Sequence, residues 1–286
     1  MSEGCRNCYA ERVAGTRLSG PGRPYDGLAV MTAAGPRWTG EVRLIEDKLD
    51  QPLRWKRPRR IFVNSMSDLF HEKLTDEQID RIVAVMAQAK WHTFQVLTKR
   101  PERMAEYLKR GPVWQRGTVN EWPFWPLPNV WWGTSAEDQK TLNDRAQHLL
   151  ACRPNAAVLW LSLEPLLGPA ILGNWARLPV PVKNGVAFMK YLDWVVVGGE
   201  SGPDARPMHQ DWARKLRDEC AVAGVPFHFK QWGEWTPLPW TNDTGKAVVM
   251  FEVDPNTQTI RIGTKAAGRL LDGKLHDDMP AMPAER

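Results

Sequence analysis

Two cysteines near the start of the chain, Cys5 and Cys8, have the spacing of a metal-binding or redox pair. Thiolates two residues apart can bind one metal from adjacent corners, as in zinc and iron–sulfur sites, or can form a redox disulfide. Structural zinc usually takes four ligands, and the sequence contains no second C-x-x-C and no His-x-x-x-His. Cys152 ends one predicted helix and Cys220 lies on the apolar face of another, so we expect both to be buried packing residues. The pair alone leaves zinc, redox and cluster chemistry open.

A second set of candidate residues follows six predicted strands, at the point where each strand ends. The carboxyl ends of parallel strands carry the working groups of α/β barrels, because the loops converge there. A helix cap or a turn is the ordinary alternative for any one cluster, and it accounts well for Ser135. Six clusters in register favour a functional site. They are Asn64, Ser65, Ser67 and Asp68; Thr98, Lys99 and Arg100; Thr134, Ser135 and Asp138; Ser162 and Glu164; Gly198, Gly199, Glu200 and Ser201; and Lys230, Gln231 and Trp232.

The most specific of these clusters is Gly198-Gly199-Glu200. Two glycines after a buried strand allow the backbone to approach a ligand closely, and the carboxylate can receive an ammonium or hydroxyl group. A flexible turn with a solvated glutamate is the alternative. Glu164 also follows a strand directly, where an unpaired buried charge would be costly. A salt bridge from Glu164 to Lys99, Arg100 or Lys230 is the structural alternative to a functional role.

The elements that must position these residues alternate between strands and helices from Arg60 onward. Short apolar runs separated by amphipathic helices predict right-handed βαβ units in a parallel sheet. We therefore predict an α/β fold with a partial (β/α) TIM-like barrel, and a doubly wound open sheet is the competing arrangement. The predicted strands are 61–64, 93–98, 130–134, 157–162, 194–197 and 225–230; helices are predicted after Thr75, from Pro101, over 136–151 and over 210–223.

The chain length and the composition changes predict one main domain with a small addition. Residues 1–235 would form the partial barrel, with insertions at about 111–128 and 165–190, where prolines replace the periodic pattern. Residues 236–286 would form a C-terminal β-hairpin with a turn of four or five residues, a short basic helix over 265–271 and a surface tail.

The charge and the composition narrow the class of protein. The net charge of +5 and the pI near 9.1 suit a nucleic-acid partner, although such an excess is common without one. The chain has fifteen tryptophans, and those in residues 122–126 could pack or could stack on bases. The sequence has no apolar run long enough to span a membrane and no signal peptide, and its four cysteines do not suit a disulfide framework. We expect a cytoplasmic protein.

Several blocks of the sequence resemble the phage Gp37/Gp68 family (DUF5131), also described as three-Cys-motif proteins. The resemblance covers nearly the whole chain, through several specific blocks. They are residues 4–11, 62–70, 97–101, 132–135, 163–166, 198–202, 229–233 and 265–269.

Members of that family resemble radical S-adenosylmethionine enzymes, and the resemblance implies a cofactor and a division of roles. A [4Fe–4S] cluster would be held by three cysteines, and its open iron would bind S-adenosylmethionine. Cys5 and Cys8 would be metal ligands. Ser67, Asp68, Gly198, Gly199, Glu200 and Ser201 would contact S-adenosylmethionine, while Lys99, Arg100, Glu164, Lys230 and Gln231 would line the substrate side as catalytic candidates.

The family pattern places a further cysteine upstream of Cys5, so the resemblance implies a chain truncated at its N-terminus, through a misassigned start codon or a genuine shortening. The first hypothesis is a radical S-adenosylmethionine-type enzyme acting on an unknown substrate, with nucleic acid as one candidate. The alternative is a non-catalytic nucleic-acid-binding protein of phage or mobile-element origin. A protein partner encoded nearby and the oligomeric state are left open.

Overall fold

A computed structural model of the chain describes residues 2–113, 125–173, 192–238, 249–254 and 257–281. The described residues fall into two compact units. The amino-terminal unit comprises residues 8–132 and 154–157, and the carboxyl-terminal unit comprises residues 2–7, 133–153 and 158–281, each without the gaps just given. The predicted division of the chain at residue 235 stays a prediction.

Six parallel strands form the main sheet, in the order in which they occur along the chain. A doubly wound fold would reverse its strand order at a switch point, so this strictly sequential order favours the partial barrel over that competitor. The mixed α/β fold class is confirmed. The strands are β3 (Arg60–Val63), β4 (Thr93–Thr98), β5 (Val130–Ser135), β6 (Val158–Leu163), β7 (Trp194–Gly198) and β8 (Phe227–Gln231).

The helices between these strands begin where side chains satisfy the first free backbone N–H groups. Thr75 forms the predicted capping box with Gln78 and opens α4, and Pro101 is the first residue of α5. The helix predicted from residue 136 begins instead at Gln139, because Asp138 and Thr141 form a second capping box. The helices of the sheet are α4 (Asp76–Gln88), α5 (Pro101–Arg110), α6 (Gln139–Ala151) and α7 (Gln210–Ala223).

The amino-terminal unit also contains elements that the sequence patterns did not predict. They are α1 (Tyr9–Thr16), the antiparallel pair β1 (Ala29–Thr32) and β2 (Gly35–Trp38), α2 (Glu46–Leu49) and α3 (Gln51–Arg54). The hairpin is largely exposed, so it has no alternating apolar pattern to reveal it. Instead, the Glu11 carboxylate fixes it to α1 by accepting a hydrogen bond from the Trp38 backbone N–H at 2.8 Å.

The C-terminal hairpin is present and belongs to a three-stranded antiparallel sheet. Its strands are β10 (Val249–Asp254) and β11 (Thr257–Arg261), and β11 also pairs with β9 (Trp235–Pro237), which was not predicted. The following helix, α8 (Thr264–Ala267), is shorter than predicted because Gly268 has a φ of 68° and ends it. Most of both predicted insertions and of the tryptophan-rich segment lies outside the described residues. None of the described helices is long and apolar enough to cross a membrane.

Candidate functional site

The segment that carries Cys5 is attached to the carboxyl end of β5. The Ser2 hydroxyl donates a hydrogen bond to Glu137 Oε1 at 2.8 Å, and Ser2 Oγ lies 3.9 Å from Cys5 Sγ. At Gly4, a Cβ atom would lie 2.5 Å from Glu137 Oε1, so this position has no room for a side chain. Glu137 therefore holds the Cys5 segment in contact with the residues that follow β5.

Glu137 is fully buried, and its charge is compensated within the carboxyl-terminal unit. Arg145 lies 3.3 Å from Glu137 Oε2 and also donates a hydrogen bond to the Ser135 carbonyl at 2.7 Å. A buried carboxylate needs such a partner, since an uncompensated charge in the interior costs several kcal/mol. The pair gives the Cys5 segment a rigid support.

A second attachment joins the same segment to the loop after β7. Arg206 donates hydrogen bonds to the Glu200 carboxylate from its side chain at 2.8 and 2.9 Å and from its backbone N–H at 2.8 Å. It also donates to the Glu3 carbonyl at 2.9 Å. The Asn7 amide donates to the Asp204 carbonyl at 2.7 Å and to Glu200 Oε2 at 3.4 Å. Both Glu200 oxygens are thus occupied by the chain, and a ligand at this position would share them with Arg206 or displace it.

The protonation of Glu200 provides a test of this attachment. Burial acts to raise the pKa of the Glu200 carboxyl, but the hydrogen bonds and the charge of Arg206 outweigh it, so the pKa is lowered. A carboxyl with a lowered folded pKa stabilises the fold fully above its unfolded pKa of about 4.3, and this contribution is lost as the pH falls through the folded value.

We expect the unfolding free energy of the native chain to fall on acidification below about pH 4.3, and Glu200→Gln to remove part of that dependence. Urea unfolding at a series of pH values measures it. Glu219→Gln is the contrasting variant, because burial raises the pKa of Glu219 and its contribution is lost as the pH rises. The expectation would be contradicted if both variants changed the slope of unfolding free energy against pH in the same way.

The two glycines before Glu200 face atoms of the chain itself. A Cβ on Gly198 would lie 3.1 Å from Glu164 Oε1, and a Cβ on Gly199 would lie 1.9 Å from the Trp232 carbonyl oxygen. The close approach to a ligand that was expected of this motif stays a prediction, and the close approach that is observed is to the chain's own backbone. The structure shows it between the ends of β7 and β8, where the Gly199 N–H donates to the Gln231 carbonyl at 2.9 Å.

The predicted residues at the ends of β6 and β8 form two contacting pairs. Lys230 Nζ lies 2.9 Å from both carboxylate oxygens of Glu164, so the salt bridge that was the structural alternative for Glu164 is formed. Lys230 is about half exposed, which leaves its ammonium group open to an incoming anion. The Gln231 amide donates to the Ser201 hydroxyl at 2.9 Å. Glu164, Lys230, Gln231 and Ser201 thus lie at one end of this unit's strands.

A second cluster of predicted residues lies in the amino-terminal unit, at the ends of β3 and β4. The Asp68 carboxylate accepts hydrogen bonds from the Thr98 hydroxyl at 2.7 Å and from the Lys99 backbone N–H at 3.2 Å. It also forms an ion pair with Arg100 at 3.1 Å. Ser67 is exposed next to this cluster. Asp68 therefore links the ends of β3 and β4, and Arg100 is the more exposed charge of the pair.

The thiols divide into two classes. Cys152 and Cys220 are buried, and burial raises the pKa of Cys152 to about 12 and that of Cys220 further still, so they pack as predicted and are poor metal ligands. Cys5 and Cys8 are partly exposed and free. Among the described residues, no group of three or more Cys, His, Asp or Glu side chains could hold a metal ion. Among the described residues, Cys5 and Cys8 are thus two of the three thiolates that a three-cysteine cluster needs.

Three residues that fix the Cys5 segment were not found by sequence reasoning. Glu137 lies inside the predicted cluster of Thr134, Ser135 and Asp138, directly before Asp138, but was not itself selected. Asn7 carries no local signal, since its partner Glu200 lies 193 residues away. Arg206 is only six residues from Glu200, but its contact with the Glu3 carbonyl spans 203 residues and has no local signal either.

Comparison with known proteins identifies the family. The model of the family described as "Protein of unknown function (DUF5131)" matches residues 1–280. No curated protein and no solved structure matches the chain. Because the family model covers nearly the whole sequence, this chain belongs to the DUF5131 family.

Proposed function

We propose that this chain is an iron–sulfur enzyme of the radical S-adenosylmethionine type that works in the reducing cytoplasm, with Cys5 and Cys8 as two of its metal ligands. The observation that carries the proposal is the double attachment of the Cys5 segment to Glu137 and to Glu200–Arg206. A thiol held over the carboxyl ends of the strands of a (β/α) sheet lies where such folds carry out their chemistry.

The chain's own residues have defined parts in this proposal. Glu137 and Arg206 orient the Cys5 segment, while Glu164, Lys230, Gln231 and Ser201 present paired polar groups at the same strand ends. The half-exposed Lys230 can bind an anionic group of a substrate. When bound, the cluster would hold S-adenosylmethionine at its open iron and supply the electron that cleaves a C–S bond. Cys5 and Cys8 would supply two of the three cysteine ligands that such a cluster needs.

Anaerobic reconstitution of the full chain with ferrous iron and sulfide tests the proposal. We expect bound iron and a broad absorbance near the visible region, both lost in Cys5→Ala and in Cys8→Ala, since each variant removes a thiolate ligand. Cys152→Ala and Cys220→Ala are matched controls, because each removes one thiol that burial keeps protonated. The reaction type is tested by reducing the reconstituted protein in the presence of S-adenosylmethionine and measuring the release of 5′-deoxyadenosine.

Iron binding by the native chain that equals that of the Cys5→Ala, Cys8→Ala double variant would contradict the metal-ligand assignment. Iron that depends on both cysteines, without cleavage of S-adenosylmethionine, would confine the proposal to metal binding and would contradict the reaction type.

A further inference from the structure

A strongly basic surface lies in the amino-terminal unit, at the amino-terminal end of β3. Five of the seven residues from Arg54 to Arg60 are basic, and Trp55 is one of the other two. Lys90 and Trp91 lie just before β4, the neighbouring strand. We call this surface the basic platform; it consists of Trp55, Lys56, Arg57, Arg59, Arg60, Lys90 and Trp91, all of them exposed except the half-buried Trp55.

The backbone of the basic platform is fixed by a buried histidine. His92, which is 1% exposed, accepts a hydrogen bond from the Arg59 N–H through Nδ1 at 3.1 Å. Its Nε2 lies 3.0 Å from the Pro52 carbonyl, so Nε2 carries the proton. The Trp91 indole N–H donates to the Trp55 carbonyl at 2.8 Å. A platform held in this way loses little conformational freedom when it binds a partner.

Four of the five cations of the basic platform have no described carboxylate close enough to form an ion pair. Among the described residues, no carboxylate lies within ion-pair distance of Lys56, Arg57, Arg59 or Lys90, whereas the preceding Arg54 is paired with Asp50 at 2.5 Å. The Arg59 guanidinium stacks over the Trp55 ring, 4.4 Å from its centre. Uncompensated cations on a rigid surface produce a positive potential that attracts polyanions.

The chemistry of the basic platform distinguishes a nucleic acid from an anionic membrane. A guanidinium group can bind two phosphate oxygens at once, and the indole ring of Trp91, which is 39% exposed, can stack on a base. Membrane binding would instead need apolar side chains free to enter the bilayer, whereas the Trp91 indole is tied to the Trp55 carbonyl.

We propose that the basic platform binds the phosphate backbone of single-stranded nucleic acid without sequence preference. The proposed site includes none of residues 122–126, the tryptophan-rich segment that suggested base stacking from the sequence. It also does not depend on metal binding at Cys5 and Cys8. The same affinity is therefore expected in the Cys5→Ala, Cys8→Ala double variant.

Fluorescence anisotropy with a labelled single-stranded DNA of about 20 nucleotides tests the proposal. The test variant is Lys56→Glu, Arg57→Glu, Lys90→Glu, which leaves Arg59 on the Trp55 ring and His92 in place. We expect its affinity to fall by more than about tenfold, and the slope of log affinity against log salt to decrease in magnitude by about 2.

The matched control is Lys109→Glu, Lys140→Glu, Lys215→Glu, which makes the same change in net charge at exposed helix positions. Its affinity should stay within about twofold of the native chain, and thermal unfolding of both triple variants checks that the fold is kept. Absent or salt-insensitive binding by the native chain would overturn the proposal, as would equal weakening by the control. Binding to phosphatidylcholine–phosphatidylserine vesicles without binding to DNA would overturn it in favour of a membrane.

Discussion

Replacing Gly199 with alanine is expected to lower the free energy of unfolding by about 3 kcal/mol or more. The added Cβ would lie 1.9 Å from the Trp232 carbonyl oxygen and 2.6 Å from its carbon, both of which are backbone atoms that cannot rotate away. Gly233 is equally constrained on the opposite side, with a φ of 82° and a Cβ position 2.1 Å from the Glu200 carbonyl oxygen. The end of β7 and the loop after β8 can therefore separate only by breaking their shared hydrogen bonds.

Urea unfolding followed by tryptophan fluorescence measures this effect, and two other glycines provide a graded comparison. Gly198→Ala should cost about 1 kcal/mol, because the new Cβ would meet the Glu164 side chain, which can move. Gly173→Ala is the matched control, since no atom of the described residues beyond its chain neighbours lies within 4 Å of a Cβ there. If Gly199→Ala were as stable as Gly173→Ala, the close approach of the two backbones would be contradicted.

Replacing Glu200 with alanine is expected to destabilise the fold by about 3 kcal/mol and to release the Cys5 segment. Glu200 is 6% exposed, and its loss leaves the Arg206 guanidinium and the Arg206 backbone N–H without their acceptor. Arg206 would then no longer be held in position to bind the Glu3 carbonyl. The loss of the Glu200 carboxylate therefore affects the Cys5 thiol indirectly, through Arg206 and Glu3.

The rate at which Cys5 reacts with a disulfide reagent reports the release directly. In a Cys8→Ser background, only Cys5 is an accessible thiol, because Cys152 and Cys220 are buried. We expect Glu200→Ala to raise the Cys5 rate several-fold and Arg206→Lys to give an intermediate rate, since lysine keeps the charge and loses the paired geometry. Glu164→Ala is the control, because the ion pair described for Glu164 joins it to Lys230 and not to residues 2–7. An unchanged Cys5 rate in Glu200→Ala would show that Glu137 alone holds the segment.

The attachment of the Cys5 segment and the basic platform depend on different residues of this chain. The first fixes a thiol over the strand ends of the carboxyl-terminal unit, and the second fixes cations around His92 in the amino-terminal unit. Because each has its own variants and its own readout, the loss of one activity does not predict the loss of the other.

The sequence by itself determined the elements whose signals are local. Strand β4 and helix α7 have the predicted bounds, and the Thr75 capping box and the first-turn Pro101 mark their helices as expected. Each of these depends on neighbouring residues, through apolar periodicity or through a side chain that reaches a backbone group three residues away. The exposed hairpin β1–β2 lacks such a signal and was missed.

The candidate residues at the strand ends were also located from the sequence, because the register of a parallel sheet brings those ends to one edge. Their partners were decided only by the tertiary structure. Glu200 joins Arg206 and Asn7, and Glu137 joins Ser2, across up to 193 residues of chain. No local pattern encodes such a pair, since a buried carboxylate requires a donor in space and the sequence does not show which distant donor folding brings there.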